Sequence, residues 1–214
     1  MPKVFLFPED RKVVVFMKSN KKSALTFLVV TAMLSAVSLV LFFFEFPVLP
    51  AFSHLKLDFS DVPALIGGIV CGPVSAVIIE LVKNVIELTV KGLGTQMGFG
   101  NIMNFLVGCA YVVPFCICYK AFSKKDKMKE TLKIAVSGLI GVVSIILIGI
   151  LGNYIIDPPF FKYFLGVELT SEALWSAIWA ATAINAIKGV MLTVLGFPVI
   201  TAVVSRIQKL TAKL

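Results

Sequence analysis

The sequence predicts an all-α integral membrane protein, a six-transmembrane-helix bundle with both termini cytoplasmic. Three observations lead there. Of 214 residues, 58% are hydrophobic and 15% charged, whereas water-soluble domains hold about 45–50% apolar and about 25% charged residues. Apolar runs reach bilayer length: residues 24–44 carry no charge, and at about 1.5 Å per residue such a run spans roughly the 30 Å of hydrocarbon. The basic residues, finally, are spread unevenly along the chain.

Residues 1–22 carry Lys3, Arg11, Lys12, Lys18, Lys21 and Lys22 and read as a basic cytoplasmic extension, ahead of a membrane domain over 23–214. Helix one is expected over 24–46; it is too long for the apolar part of a signal peptide and lacks a small-x-small cleavage site. Helix two, 62–71, ends at Cys71-Gly72-Pro73, where proline stops one helix and can start the next, 73–91. Helices four, five and six follow over 101–122, 132–156 and 173–209, the last with a kink expected at Gly196-Phe197-Pro198. Fifteen of the twenty Lys and Arg residues fall before helix one, between helices four and five (Lys120 to Lys133), or after helix six. The positive-inside rule then puts both termini in the cytoplasm. The net charge of +8 is a topology signal and gives little reason to expect nucleic acid as a partner. Three segments, Pro47–Asp61, Gly92–Gly100 and Asp157–Glu172, would gather on the outer side.

Polar residues inside these apolar spans carry the functional signal. Glu80, Lys83, Asn84 and Glu87 share helix three, where Lys83 can pair with Glu80 and Glu87 along its own helix. Lys188 has no such neighbour: one turn away stand Ile184, Asn185, Met191 and Leu192. A charge near mid-membrane costs about 2.5–3.5 kcal/mol on insertion scales, unless the side chain snorkels to the interface. Asn185 precedes Lys188 by one turn, and Asn153 interrupts the Gly-rich run "LIGILGNYII". Two amides and an ammonium, offering donors and acceptors together, suit the edge of a flat heterocycle with carbonyls and a ring N–H.

Other motifs say less. The four cysteines lie in apolar segments and the single histidine is His54, a set that supplies no closed zinc site. "GLGTQMGFG" (92–100) lacks the Lys-Ser/Thr of a phosphate loop and follows no strand. No catalytic cluster of Ser/His/Asp or Cys/His type is present, so the chain does not read as an enzyme and no catalytic cofactor is expected. "TAMLSA" sets Ala32 and Ala36 on one face, a pattern for close helix approach either within the bundle or to another subunit.

Several blocks in order resemble the riboflavin-binding S components of energy-coupling factor (ECF) transporters: "FEFPVLPAFSHLKLDFSDVPALIGG" (44–68), "CGPVSAV" with "ELVKN", "GFGNIMNFLVG", "GNYII" and "INAIKGV". The resemblance covers about residues 24–210. It implies a six-helix capture subunit in a prokaryotic plasma membrane, without ATPase activity of its own. Such a subunit takes riboflavin from outside and works with a transmembrane coupling subunit and two cytoplasmic ATPases. It further implies that Asn153, Asn185 and Lys188 contact the polar edge of the isoalloxazine ring, and that Ala32 and Ala36 dock on the coupling subunit. Lid and loop candidates are Leu55, Leu57 and Phe59, which alternate with polar neighbours, together with Thr95, Gly100 and Asn104. An S component for FMN or thiamin is the near alternative; a small membrane enzyme or a channel is the distant one.

Overall fold

The structure, a computed structural model, describes residues 21–47, 56–92, 98–124, 128–164 and 166–211. Six helices follow one another: α1 (Lys21–Phe42), α2 (Asp61–Val70), α3 (Pro73–Lys91), α4 (Phe99–Lys124), α5 (Glu130–Phe164) and α6 (Ser171–Thr211). Between α1 and α2 two short strands, β1 (Phe46–Pro47) and β2 (Lys56–Leu57), pair antiparallel with Phe46 opposite Leu57.

Among the described residues four helices are long and apolar enough to cross a membrane, over 24–42, 99–123, 130–164 and 171–203. The other two differ for separate reasons. α3 has 19 residues, enough for about 28 Å, but it carries Glu80, Lys83, Glu87 and Lys91. α2 has 10 residues and rises about 15 Å, half a bilayer. It turns into α3 at Gly72, whose φ of 105° is open to glycine at little cost, and Pro73 supplies the first helical position of α3.

Two boundaries depart from expectation. Helix one stops at Phe42 rather than running to 46, because the chain turns there to form β1. The segment 157–164, expected as loop, continues α5 through Pro158 and Pro159. Each proline removes one amide donor, but Phe160 and Phe164 pack on Phe99 of α4, with ring centroids 5.1 and 5.2 Å apart, and that burial holds the extra turns. α6 also runs without a break through Gly196-Phe197-Pro198.

Contacts fix the direction of each helix. Tyr111 lies against Gly141 and Met103 against Gly152, so α4 and α5 are antiparallel; Thr193 against Gly138 and Asn185 against Gly149 make α5 and α6 antiparallel too. The ends of α1, α3 and α5 therefore share one end of the bundle with the starts of α4 and α6, and the β1–β2 pair lies there. The apolar core holds Leu65, Ile79, Tyr111, Phe115, Ile145 and Leu192. Outside it the usual distribution is inverted: Leu28, Met33, Leu139, Leu151 and Val194 are exposed while Asp61, Glu80, Lys83 and Lys188 are buried. Apolar outside and polar within is the pattern that hydrocarbon solvent selects.

Candidate functional site: a buried ion network

The half-length of α2 decides where its charged end falls. Asp61 stands ten residues before Cys71 and Lys83 ten residues after Pro73, so the antiparallel α2–α3 hairpin brings the two level. There Lys83 Nζ pairs with Asp61 Oδ1, lies 2.7 Å from Glu80 Oε2, and donates to Ser60 Oγ at 2.8 Å. Glu80 is fully buried, and its carboxylate fits because residue 108 is glycine: a Cβ there would stand 2.5 Å from Glu80 Oε2.

The second oxygen of Asp61 belongs to Lys188, whose Nζ lies 2.9 Å away. Lys188 also donates to Asn104 Oδ1 at 3.0 Å and to Asp58 Oδ2 at 3.4 Å. Asp58 has further donors of its own, since Ser60 gives its backbone N–H at 2.7 Å and its hydroxyl to Asp58 Oδ1. Ser38 on α1 donates to Ser60 O at 2.5 Å and ties the turn to the bundle. Three carboxylates and two ammoniums are thus held together away from water. A buried charge is tolerated only when paired and hydrogen-bonded, and loss of one partner costs about 3–5 kcal/mol.

Towards the β1–β2 end the network continues through three asparagines to a second set of ion pairs. Asn104 donates to Asn84 Oδ1 at 3.1 Å, and Asn84 to Glu80 O at 2.8 Å. Asn101 donates to Glu87, which pairs with Lys91 at 3.0 Å; Lys91 reaches Glu45 at 2.8 Å. Helix three therefore pairs otherwise than expected. Lys83 keeps Glu80 but takes Asp61 in place of Glu87, which has its own lysine one turn on.

Lys188 lies one turn after Asn185 on α6 and donates to Asn104 on α4. The Asn185 amide lies against Gly149 of α5, and the contact of Met103 with Gly152 sets Asn153 close to the depth of Asn104. Lys188 and Asn153 are buried, 3% and 7% exposed, which makes Lys188 an interior residue and not a snorkelling one. Among the described residues neither Asn153 nor Asn185 has a side-chain hydrogen bond, and each amide offers both donors and an acceptor. Leu57 is buried in β2, and the Phe59 ring stands 6.3 Å from that of Phe46. Gly100 is half-buried in the first turn of α4, apart from the ion network. Leu55 and Thr95 lie outside the described residues. Ala32 and Ala36 are exposed on α1, to one side of the buried face of Thr31, Ser35 and Ser38.

Asp58, Ser60 and Asp61 are the site residues that pattern reading missed. The signal was available: a lysine with no acid within a turn of it on its own helix requires one from elsewhere, and "DFSD" puts two carboxylates at the head of the shortest helix.

Fold and site together define a small helical membrane protein that keeps a buried cluster of charged and polar groups within an apolar shell. The family model described as "ECF transporter, substrate-specific component" matches residues 26–200. The chain belongs to that family. It is 32% identical over 169 residues to the riboflavin transporter FmnP of Bacillus subtilis (strain 168), covering 78% of this chain and 86% of the relative. It is 29% identical over 180 residues to the riboflavin transporter RibU of Staphylococcus aureus (strain TCH60), covering 83% and 87%. In fold it is similar to a solved chain described under "Structure and mechanism of the S component of a bacterial ECF transporter", with a TM-score of 0.64 at 24% identity over 86% of this chain and 98% of that one.

Proposed function

We propose that this chain captures riboflavin on the outer side of a prokaryotic plasma membrane and hands it to an ECF coupling subunit driven by two cytoplasmic ATPases. The observation that carries the reading is a buried Lys188 with Asn185 one turn before it on α6 and a buried Asn153 on the adjacent α5, the two asparagines without a side-chain hydrogen bond among the described residues. Lys188 and the asparagines take the carbonyls and ring N–H of the isoalloxazine edge, and apolar walls take the rest of the ring. The segment from β2 to Phe59 covers the site as a lid. Its relatives' names support the flavin. In this reading all six helices lie within the membrane, α2 reaching only half way. Both termini are cytoplasmic, residues 1–22 form a basic extension there, and Ala32 and Ala36 face the coupling subunit.

The test is a titration of detergent-purified protein against riboflavin, followed by quenching of flavin fluorescence, with FMN and thiamin as competitors. Saturable quenching at about one flavin per chain is expected, with riboflavin displaced by neither competitor at equal concentration. Tight binding of thiamin without flavin quenching would replace this reading.

A further inference from the structure

Lys188 has three N–H groups and faces three oxygens: Asp61 Oδ2 at 2.9 Å, Asn104 Oδ1 at 3.0 Å and Asp58 Oδ2 at 3.4 Å. An ammonium has no fourth donor. Two of these contacts, to Asn104 and Asp58, are hydrogen bonds and the one to Asp61 is an ion pair, so a ligand carbonyl that takes a hydrogen bond from Lys188 competes with them for one buried ammonium.

The three are not equally replaceable. Asp61 is fixed from its other side by Lys83 and sits in the first turn of α2. Asn104 is part of α4 and tied to Asn84. Asp58 makes the longest contact, and it stands outside any helix or strand, directly after β2. It also keeps partners of its own: on release from Lys188 its other oxygen retains the Ser60 N–H and hydroxyl, so the carboxylate stays hydrogen-bonded although it gives up its ammonium. We propose that Asp58 is an exchangeable partner of Lys188, accepting one of its hydrogen bonds until a flavin carbonyl takes it, and so acts as a positioning residue that sets the affinity of the site. The inference rests on the flavin reading above and adds a competing group within it. Because Asp58 adjoins β2, the exchange also links occupancy at Lys188 to the segment proposed as the lid.

The experiment is the riboflavin titration on the wild type, Asp58→Asn, Asp58→Ser, Lys188→Met and the double variant Asp58→Asn with Lys188→Met. Asparagine and serine both keep an oxygen able to accept from the Ser60 N–H. With the competitor gone, binding by either should tighten about three- to tenfold, the scale of one hydrogen bond of modest net strength. In the Lys188→Met background the gain should vanish, which a general loosening of the fold would not produce. Unchanged or weaker binding by both variants, or an equal gain without Lys188, would overturn the exchange. So would loss of fold in both, since a group that yields to ligand cannot be one the fold requires. If the wild type itself does not bind riboflavin, it is the flavin reading that fails.

Discussion

Asp61 divides its carboxylate between two lysines, Lys83 taking one oxygen and Lys188 lying 2.9 Å from the other. One residue at the head of the shortest helix thus joins α2, α3 and α6. Replacing it by alanine leaves two buried ammoniums short of a partner. Asp61→Ala should lower stability by about 3–5 kcal/mol, read as a lower unfolding midpoint in detergent. A change below about 1 kcal/mol would mean that water reaches these charges as it does surface pairs.

Lys188→Met keeps length and apolar bulk while removing the donor. Loss of a charge-assisted hydrogen bond, about 1.5–3 kcal/mol, corresponds to roughly ten- to more than a hundredfold weaker flavin binding. Calorimetry on variant and wild type measures it, with a melting curve to establish that the variant is folded. Affinity within a factor of about two would remove Lys188 from the ligand contacts.

Gly149 gives a test of Asn185 that leaves the asparagine in place. A Cβ at 149 would collide with the Asn185 amide. Gly149→Ala should therefore turn that amide away and weaken binding about tenfold, the value of one misplaced hydrogen bond. Gly152→Ala is the control, because there the added methyl meets the tip of Met103, 2.8 Å from its Cε, and a methionine can re-pack. Equal effects of the two changes would show that α5–α6 spacing, and not Asn185, sets the affinity.

For α1 the prediction separates capture from transport. Leucine at both Ala32 and Ala36 thickens a face that points out of the bundle. Flavin binding by the purified double variant should stay normal, while uptake by cells expressing the coupling subunit and ATPases should fall to background. Uptake at the wild-type rate would place the docking face elsewhere.

The four long helices were legible because runs such as 24–44 exceed what a soluble core needs, and "CGP" marked the hinge. Two features were hidden. Asp157-Pro158-Pro159 looks like loop punctuation, and only the distant Phe99 explains why the helix continues past it. The β1–β2 pair is two residues per strand, too short to leave a periodic pattern. At the site, Lys188 stood out because charge in an apolar run is costly wherever it is found. Its partners did not, since Asp58 and Asp61 sit in a polar-looking segment, and no spacing rule connects them to a lysine on the last helix.

The level placement of Asp61 and Lys83 has a consequence for how the chain is made. Both leave the ribosome long before Lys188, and the hairpin they close needs no later segment. Two turns of α2 and α3 can therefore partition into the bilayer with an acid and a base already cancelling one another. Lys188 arrives last, to a carboxylate that is waiting for it. A nascent chain released after α3 should accordingly integrate with normal efficiency, and Lys83→Leu should impair that early integration more than any change at Lys188.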